Sequence, residues 1–301
     1  MRKALKDVVK KAICIECKLP HLESGVNKSC LSTNQDICFK NDNPQNLSKA
    51  IYNGIVEFAI NEYEIDYENL EKEQLKAIIK NLRYTYDDDI DAKLKYGFYG
   101  EVLLDLILRV FMKTSVIAAR GYFYSPIENS EAKGFDAFHL IENNNKLDLW
   151  FGEAKFYTDY KQAITSVLKK LNTSLSDVYV NRNLLAIINE REHISASSQL
   201  FSDLLDAWED NPNINLAEEM KKSNIRLTYP VFIAYQQGKT HEFHESVNKC
   251  IEHISKEHKK LNINIPASFD YRLFFIFLPL SDVKNIKETV VQWIDTQEPL
   301  I

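Results

Sequence analysis

Two long apolar runs near the carboxyl end of the chain constrain its fold more than any other feature. "IRLTYPVFIAYQ" (225–236) and "YRLFFIFLPL" (271–280) are rich in branched and aromatic residues and are apolar over most of their length. Such runs form strands that a folded protein buries in a central sheet. A long helical pattern separates them at about 239–260, and Ser281 is the expected N-cap of a final helix. The chain is therefore predicted to fold as a layered α/β domain.

The segment that precedes these runs adds a hairpin and its flanking helices. "GFYGEVLLDLILRVFM" (97–112) is apolar nearly all round and predicts a buried helix, and "TSVIAARGYFY" (114–124) is typical of a strand. "GFDAFHLI" (134–141) alternates like a strand, and "KLDLWFGEAKFY" (146–157) returns as its partner after three asparagines. Thr158 is the expected N-cap of the next helix. This order favours a mixed central sheet flanked by helices.

The first third of the chain predicts a helical part outside this sheet. Helical periodicity begins at Leu47, whereas residues 1–45 show little periodicity. The acidic tract "YDDDID" (86–91) interrupts the pattern and is predicted to be a solvated loop, with a metal-facing or DNA-mimicking patch as the alternatives. We therefore divide the chain into an N-terminal helical extension (1–90) that packs on the core and a main domain (91–301).

Charge and hydropathy bear on partners and location. The 301 residues carry a formal net charge of −6. A protein that binds nucleic acid unaided is more often basic, because phosphate contacts supply most of the non-specific affinity. An enzyme that receives nucleic acid from a partner remains compatible with this charge. No apolar run is long enough to cross a bilayer, and the amino end lacks the apolar core of a signal peptide, so a cytoplasmic location is predicted.

The strand predicted at 146–157 carries two opposite charges within its apolar sequence. Glu153 and Lys155 are two residues apart and therefore point to the same side of the strand. If the hairpin turns at its asparagines, residues whose numbers add up to about 289 lie opposite each other, which places Asp136 against Glu153. Facing carboxylates repel each other unless a cation lies between them. Mg²⁺ is the natural cation, because it prefers two carboxylates completed by water and phosphate oxygens.

The other charges near this pair then acquire chemical tasks. The Lys155 ammonium could orient or help to deprotonate an attacking water, or offset charge in a phosphoryl transition state. Glu101, in the buried helix before the sheet, could complete the metal shell or bind a metal-bound water. The structural alternative is that Glu-x-Lys is a solvated edge pair or an internal ion pair, both of which are common on strands.

The order of these residues resembles the PD-(D/E)xK nucleases, in which a helix with Glu is followed by a strand with Asp and a strand with Glu-x-Lys. The resemblance implies a restriction-endonuclease-like core and Mg²⁺-dependent phosphodiester hydrolysis, with Mn²⁺ as a plausible substitute. It carries over to four catalytic positions: Glu101, Asp136, Glu153 and Lys155. The first three of these would bind the metal. Gln162 falls where several members hold a substrate-facing glutamine, and Phe135 departs from the usual proline.

Three segments together carry a closer resemblance: "YGFYGEVLL", "GFDAFHLI" and "LWFGEAKFY". They resemble the HamA family, the nuclease effectors of Hachiman anti-phage defence systems. The resemblance implies a DNA nuclease that a HamB-like helicase restrains and activates. The tract at 86–91 and the helices from 174 to 222 are candidate partner surfaces. A metal-dependent RNA nuclease of the same fold and a non-catalytic interaction subunit with a degenerate nuclease fold remain the alternatives.

Several cysteines and histidines have both a functional and a structural interpretation. Cys14 and Cys17 form a C-x2-C pair that Cys30 and Cys38 complete only loosely, so reduced thiols are favoured over a structural zinc. His139 points away from Asp136 on its strand and is predicted to be a hydrogen-bonded core residue.

Other histidines and the basic residues near the proposed site also leave two interpretations open. His241 and His244 could bind a metal, although their segment also has the pattern of an exposed amphipathic helix. One basic set could line a phosphate-binding groove or form a solvated face: Lys155, Lys161, Lys169, Lys170 and Arg182.

Overall fold

The fold is built on a seven-stranded mixed sheet. The computed structural model describes residues 1–82, 84–122, 124–125, 130–131, 134–144, 146–194, 198–209, 211, 215–238 and 242–301. Its strands are β1 (Cys14–Lys18), β2 (Ile37–Lys40), β3 (Ser115–Val116), β4 (Tyr124–Ser125), β5 (Ser130–Glu131), β6 (Ala137–Asn143), β7 (Lys146–Tyr157), β8 (Ile225–Gln236) and β9 (Tyr271–Leu280). Its α-helices are α1 (Lys3–Ala12), α2 (Pro44–Ala59), α3 (Leu70–Lys76), α4 (Ile90–Lys93), α5 (Phe98–Ile107), α6 (Tyr160–Ser174), α7 (Asp177–Asn189), α8 (Gln199–Glu209), α9 (Leu216–Lys222), α10 (Phe243–Leu261) and α11 (Val283–Thr296).

The sheet has the strand order β1-β2-β9-β8-β7-β6-β3. Its centre is parallel, because β2 pairs in parallel with β9, β9 with β8 and β8 with β7. Both edges are antiparallel, with β1 against β2 at one edge and β6 between β7 and β3 at the other. Strands β4 and β5 form a separate antiparallel pair. The mixed sheet predicted for this chain is therefore confirmed.

Helices cover both faces of the sheet, and each face has its own apolar core. One core joins α1, α2, α5 and α11 to the side chains of Trp150, Ala154 and Phe156 on β7. The other joins α6, α7, α8, α9 and α10 to Leu149 and Phe151 on the same strand. Successive side chains of a strand point to opposite faces, so β7 contributes to both cores and lies at the centre of the molecule.

The main strands and the hairpin occur where the sequence predicts them. Strands β7, β8 and β9 coincide with the predicted segments. In the hairpin, Ala137 pairs with Gly152 and Asn143 with Lys146, which is the predicted register. Asn144 has a φ of 50°, as the turn requires. The buried helix is also confirmed, although its last turn, Leu108–Met112, is a π-helix.

The strand predicted at 114–124 is mostly wrong. Only Ser115–Val116 pairs with β6, and residues Arg120–Tyr122 form a 3₁₀ turn. The backbone N–H of Ala119 donates a hydrogen bond of 2.8 Å to Oδ1 of Asn61 instead of to a neighbouring strand. This contact with the segment after α2 takes the chain out of the sheet.

Both predicted helix caps are displaced by one residue. Asp159, not Thr158, accepts the hydrogen bond at the start of α6, from the N–H of Lys161 at 2.8 Å. Asp282, not Ser281, caps α11 by accepting from the N–H of Asn285 at 2.9 Å. Each aspartate directly follows the residue that was predicted, and a carboxylate at this place also interacts favourably with the helix dipole.

The N-terminal segment contains more than helices. Strands β1 and β2 extend the main sheet, because Ile37 pairs with Ile276 and Cys38 with Phe277 of β9. Helices α1 and α2 do pack on the core, as predicted for the extension. The purely helical description of residues 1–90 is therefore wrong, and the division of the chain at residue 90 stays a prediction. Among the described residues, no helix combines the length and the apolarity needed to span a membrane.

Candidate active site

The candidate site lies at the start of the β6–β7 hairpin, where Asp136 comes directly before β6. The backbone N–H of Asp136 donates to the carbonyl of Gly152 at 2.8 Å, just before the first ladder pair, Ala137 with Gly152, so Asp136 lies beside this part of β7. One carboxylate oxygen of Asp136, Oδ2, accepts a hydrogen bond of 2.8 Å from the N–H of Ala154. The predicted convergence of these two acids is thus what the hairpin produces.

The surroundings of Asp136 disfavour the ionised form of its carboxyl group. Burial in the first place, and the charge of Glu153 in the second, raise the pKa of Asp136 to about 7. Lys155, the N–H of Ala154 and Arg120 act in the opposite direction and only partly offset this shift. A carboxyl group in this state gains stability from any additional cation nearby.

Lys155 and Glu153 form a close ion pair beside Asp136. The Nζ atom of Lys155 donates to Oε1 of Glu153 at 2.5 Å and to the carbonyl of Ala154 at 3.0 Å. Their side chains are only 13% and 10% exposed. Burial alone would lower the pKa of Lys155, but Glu153 and Asp136 outweigh it, so the net shift is upward. The lysine is therefore charged at neutral pH.

Aromatic side chains enclose the acids from the α7 side. Phe135 is buried and packs against the rings of Tyr179 and Tyr229 at centroid distances of 5.1 and 5.7 Å. Burial first, and then the charge of Glu153, raise the pKa values of both tyrosines. The N–H of Phe135 also contacts Oδ1 of Asn183 at 3.4 Å. Phe135, which stands in place of the proline of the nuclease motif, thus anchors the segment that presents Asp136.

Glu101 approaches the hairpin from the other face of the sheet. Helix α5 packs closely on β7, since a Cβ added at Gly100 would lie 3.4 Å from Cβ of Ala154. Ala154 alternates with Glu153 and Lys155, so α5 lies on the face opposite to their side chains. Oε2 of Glu101 lies 3.8 Å from Nε of Arg120. The metal role predicted for Glu101 stays a prediction.

Arg120 is the residue of this site that the sequence analysis missed. Its side chain is 9% exposed, lies beside Glu101 and lowers the pKa of Asp136. It also lines a small cavity together with Asp136 and His139. The available signal was a single arginine within the apolar run "VIAARGYF", which resembled a strand. Because a 3₁₀ turn replaces that strand, the guanidinium can reach the acids.

The residues present fit a hard divalent cation. The charge of Glu153 acts on Asp136, the pKa of Asp136 is raised, and the carbonyl of Ala154 adds a neutral oxygen nearby. Two carboxylates leave further positions to water and phosphate, which suits Mg²⁺. Within the described part of the chain, no three His, Cys, Asp or Glu side chains are grouped as a metal site. The donor set therefore supports an open cation site of two acids and no closed metal site.

Comparison with protein families identifies the chain. A family model described as HamA matches residues 7–294. The chain belongs to the HamA family. It is therefore a component of a Hachiman defence system. Comparison with curated proteins and with solved structures finds no match.

The HamA match confirms the resemblance that was based on three sequence segments, one in α5 and two in the β6–β7 hairpin. It also extends well beyond them, because it covers most of residues 1–45, which those segments leave out. The strands β1 and β2 thus lie within the family region and form one edge of its sheet.

The histidine and cysteine motifs have structural roles in this HamA-family chain. His139 is buried, with its Nε2 3.0 Å from Oδ1 of Asp105 and its Nδ1 2.7 Å from Oγ1 of Thr114, as expected for a core histidine. Cys17 lies opposite Cys38 in the β1–β2 ladder, and all five cysteines are free thiols. His241 lies outside the described residues, and His244 stacks on His21 at 5.2 Å.

The remaining predicted residues of the HamA-family chain lie at its surface. Gln162 is exposed in the first turn of α6, and its contact with substrate stays a prediction. In the acidic tract, Asp87 is exposed, while Asp89 caps α4 by accepting from the N–H of Ala92 at 2.8 Å. The tract is therefore a largely solvated loop that leads into a short helix.

Proposed function

We propose that this chain is a Mg²⁺-dependent DNA nuclease that acts as the effector of its Hachiman system. The observation that carries the proposal is that Asp136 lies close enough to Glu153 for the charge of Glu153 to raise its pKa, with the Lys155 ammonium bound to Glu153. Two buried acids could hold a divalent cation, and such a cation together with the lysine ammonium would stabilise the negative charge that develops in phosphodiester hydrolysis. The core would then belong to the PD-(D/E)xK class, with α5 before the hairpin and α6 after it.

Each residue of the site has a task in this proposal. Asp136 and Glu153 would hold the ion, and Mg²⁺ bound there would supply Lewis acidity at the scissile phosphate. Because the pKa of Lys155 is raised, its ammonium would donate hydrogen bonds to the phosphate or to the attacking water and would not act as a base. Arg120 would help to keep Asp136 ionised.

The family and the net charge of the chain support a DNA substrate and a helicase partner in this proposal. A chain of net charge −6 captures DNA poorly by itself, so a helicase partner that delivers DNA would raise the local concentration. The same partner would restrain the nuclease until it is needed. The exposed tract at 86–91 is one candidate contact. Replacing Asp87 and Asp91 by Asn should weaken co-purification with the helicase, and unchanged co-purification would exclude the tract as a contact.

A second candidate has its own support. A buried ion pair such as Glu153–Lys155 is also what a structural pair in a non-catalytic interaction subunit would contain. This candidate predicts no hydrolysis by the chain under any condition, whereas the nuclease requires both the ion and the acids.

A cleavage assay separates these possibilities. The purified full chain, with and without the helicase encoded beside it, is incubated with plasmid DNA, linear DNA or RNA in Mg²⁺, Mn²⁺ or EDTA. We expect DNA loss in Mg²⁺, none in EDTA, and a loss of at least about 100-fold in Glu153→Gln. The matched control is Glu142→Gln, an exposed glutamate of the same hairpin.

The outcomes of this assay are distinct. Equal cleavage by Glu153→Gln and by the unaltered chain would refute the assignment of the site. Cleavage of RNA alone would replace the DNA nuclease by an RNA nuclease of the same fold. Absence of cleavage in every arm would favour the interaction subunit.

A further inference from the structure

Helices α6 and α10 lie side by side on one face of the sheet. Oγ1 of Thr165 on α6 lies 3.0 Å from Nε2 of His253 on α10. Near their carboxyl ends, the N–H of Asn264 donates to Oδ1 of Asn172 at 3.1 Å. These two contacts show that the helices run parallel, with an exposed seam between them.

Lysines occupy both borders of this seam. Lys161 and Lys169 lie four residues before and after Thr165, on its side of α6. On α10, the lysines on the face of His253 precede it by four residues and follow it by three and seven. Lys161 and Lys256 both act electrostatically on His253, so the two borders are close together. We name the five residues the α6–α10 seam: Lys161, Lys169, Lys249, Lys256 and Lys260.

Two of the five seam lysines form ion pairs with described carboxylates. Lys249 pairs with Glu245 at 2.9 Å and Lys260 with Glu257 at 3.5 Å. Among the described residues, no carboxylate lies within 4.0 Å of the other three seam lysines, and all three are exposed. The seam therefore presents three exposed ammonium groups without an ion pair to a described carboxylate, one of which, on Lys161, lies 5.9 Å from the centroid of the Tyr160 ring.

The two helices of the seam are positively charged, whereas the chain as a whole is negatively charged. Helices α6 and α10 contain seven lysines and three glutamates, which gives a net charge of +4. Since the whole chain carries −6, the rest of the chain carries −10. Positive charge is thus concentrated on one pair of helices in an otherwise acidic protein, and such an arrangement directs a polyanion to that surface.

The seam lies on the same side of the sheet as the candidate site. Helix α6 begins three residues after the end of β7 and packs on Leu149 and Phe151, which share a face with Glu153 and Lys155. From Lys249 to Lys260 the seam is about 16 Å long, at the rise of an α-helix. One DNA strand presents about five phosphates over this length.

We propose that the α6–α10 seam binds the sugar-phosphate backbone of double-stranded DNA and holds it beside the candidate site. This inference rests on the proposed nuclease function, and it adds the surface that positions the substrate. Lysines at intervals along two parallel helices suit a regular series of phosphates and recognise no base sequence. Binding should therefore be independent of sequence and should weaken as salt is added.

The test is a binding titration of the full chain in the Glu153→Gln background, so that the labelled duplex stays intact. The seam variant combines Lys161→Gln, Lys169→Gln and Lys256→Gln. The control variant combines Lys3→Gln, Lys10→Gln and Lys11→Gln. It removes the same number of positive charges, from exposed positions of α1. Helix α1 belongs to the core on the other face of the sheet. Dissociation constants are measured by fluorescence anisotropy over a series of NaCl concentrations.

We expect the seam variant to bind at least about 10-fold more weakly than its parent at moderate salt, with a slope of log K against log salt smaller by about 2 to 3. The control variant should keep the slope of the parent. Equal slopes in the two variants, or no DNA binding by the parent, would overturn the proposal. So would a seam variant that loses its helicase partner and keeps its DNA affinity.

Failure of the nuclease function gives a different result. If the unaltered chain cleaves nothing and the seam variant still loses DNA affinity, the seam stands and the nuclease proposal falls. If cleavage depends on Glu153 and both triple variants bind DNA equally, the nuclease stands and the seam falls. Circular dichroism spectra and melting temperatures like those of the parent exclude misfolding of either triple variant.

Discussion

Two clusters of buried charge lie at the β6–β7 hairpin, and they differ in how their charge is balanced. Asp105, Arg109 and His139 form one cluster, with Nε of Arg109 2.8 Å from Oδ2 of Asp105. Asp136, Glu153 and Lys155 form the other. In the first cluster, the one buried acid faces an arginine and an uncharged histidine, and the arginine also contacts the half-exposed Glu62 at 2.8 Å. The second has two acids and one lysine.

The pKa shifts express this difference. Burial alone would raise the pKa of Asp105, but Arg109 and His139 outweigh it and lower the pKa. Burial and Glu153 raise the pKa of Asp136 to about 7. The two aspartates have the same chemistry and belong to the same region of the fold. What distinguishes these two carboxylates is how far the protein itself offsets their charge with nearby cations.

The largest effect on stability is expected from Asp105→Asn. This change removes the buried carboxylate that contacts both Arg109 and His139 and leaves Arg109, among the described carboxylates, only its contact with the half-exposed Glu62, so the free energy of unfolding should fall by about 3 to 5 kcal/mol. Urea denaturation at neutral pH measures it. Asp87→Asn, at an exposed aspartate, is the control and should stay within about 0.5 kcal/mol of the unaltered chain. A small effect of Asp105→Asn would remove the contrast between the clusters.

Asp136→Asn should show the opposite behaviour. Cleavage should fall by about 100-fold or more because an acid that would hold the ion is lost. The metal-free protein should become no less stable, since one of two facing acids is neutralised. Initial cleavage rates and urea denaturation in EDTA test both parts. A large loss of stability without loss of cleavage would place Asp136 with the structural cluster.

Addition of Mg²⁺ should stabilise the unaltered chain and leave Asp136→Asn unchanged. At a concentration 100 times the dissociation constant, binding to the folded state adds about 2.7 kcal/mol. The melting temperature followed during a MgCl₂ titration, with Mn²⁺ in a parallel series, measures this effect. Equal shifts in the two proteins would place the ion elsewhere.

The smallest effect concerns pH. A raised pKa means that the folded state binds the proton more tightly, so the contribution of Asp136 is fully present below about pH 4 and is lost as the pH rises to about 7. In EDTA the free energy of unfolding should therefore fall across this range, and Asp136→Asn should abolish the fall. The contribution of Asp105 changes with pH in the opposite direction. Because its pKa is lowered, its ionised form stabilises the folded state above about pH 4. Urea denaturation across this range tests both signs.

Much of the hairpin could be predicted, because its determinants are local. Alternation along β6, the asparagine turn and the return of β7 specify the register, and the register brings Asp136 near Glu153. The caps of α6 and α11 were missed by one residue because neighbouring side chains compete for the same role, and the backbone geometry selects the aspartate in both cases.

The sequence by itself determined the central strands, the paired acids of the hairpin and the family. Each of these depends on residues that are close together along the chain and follow the strand period of two. The tertiary structure decided the approach of Arg120, the raised pKa of Asp136, the placement of β1 and β2 and the lysine seam. Each of these depends on segments that are distant in sequence, and on burial, which no local pattern specifies.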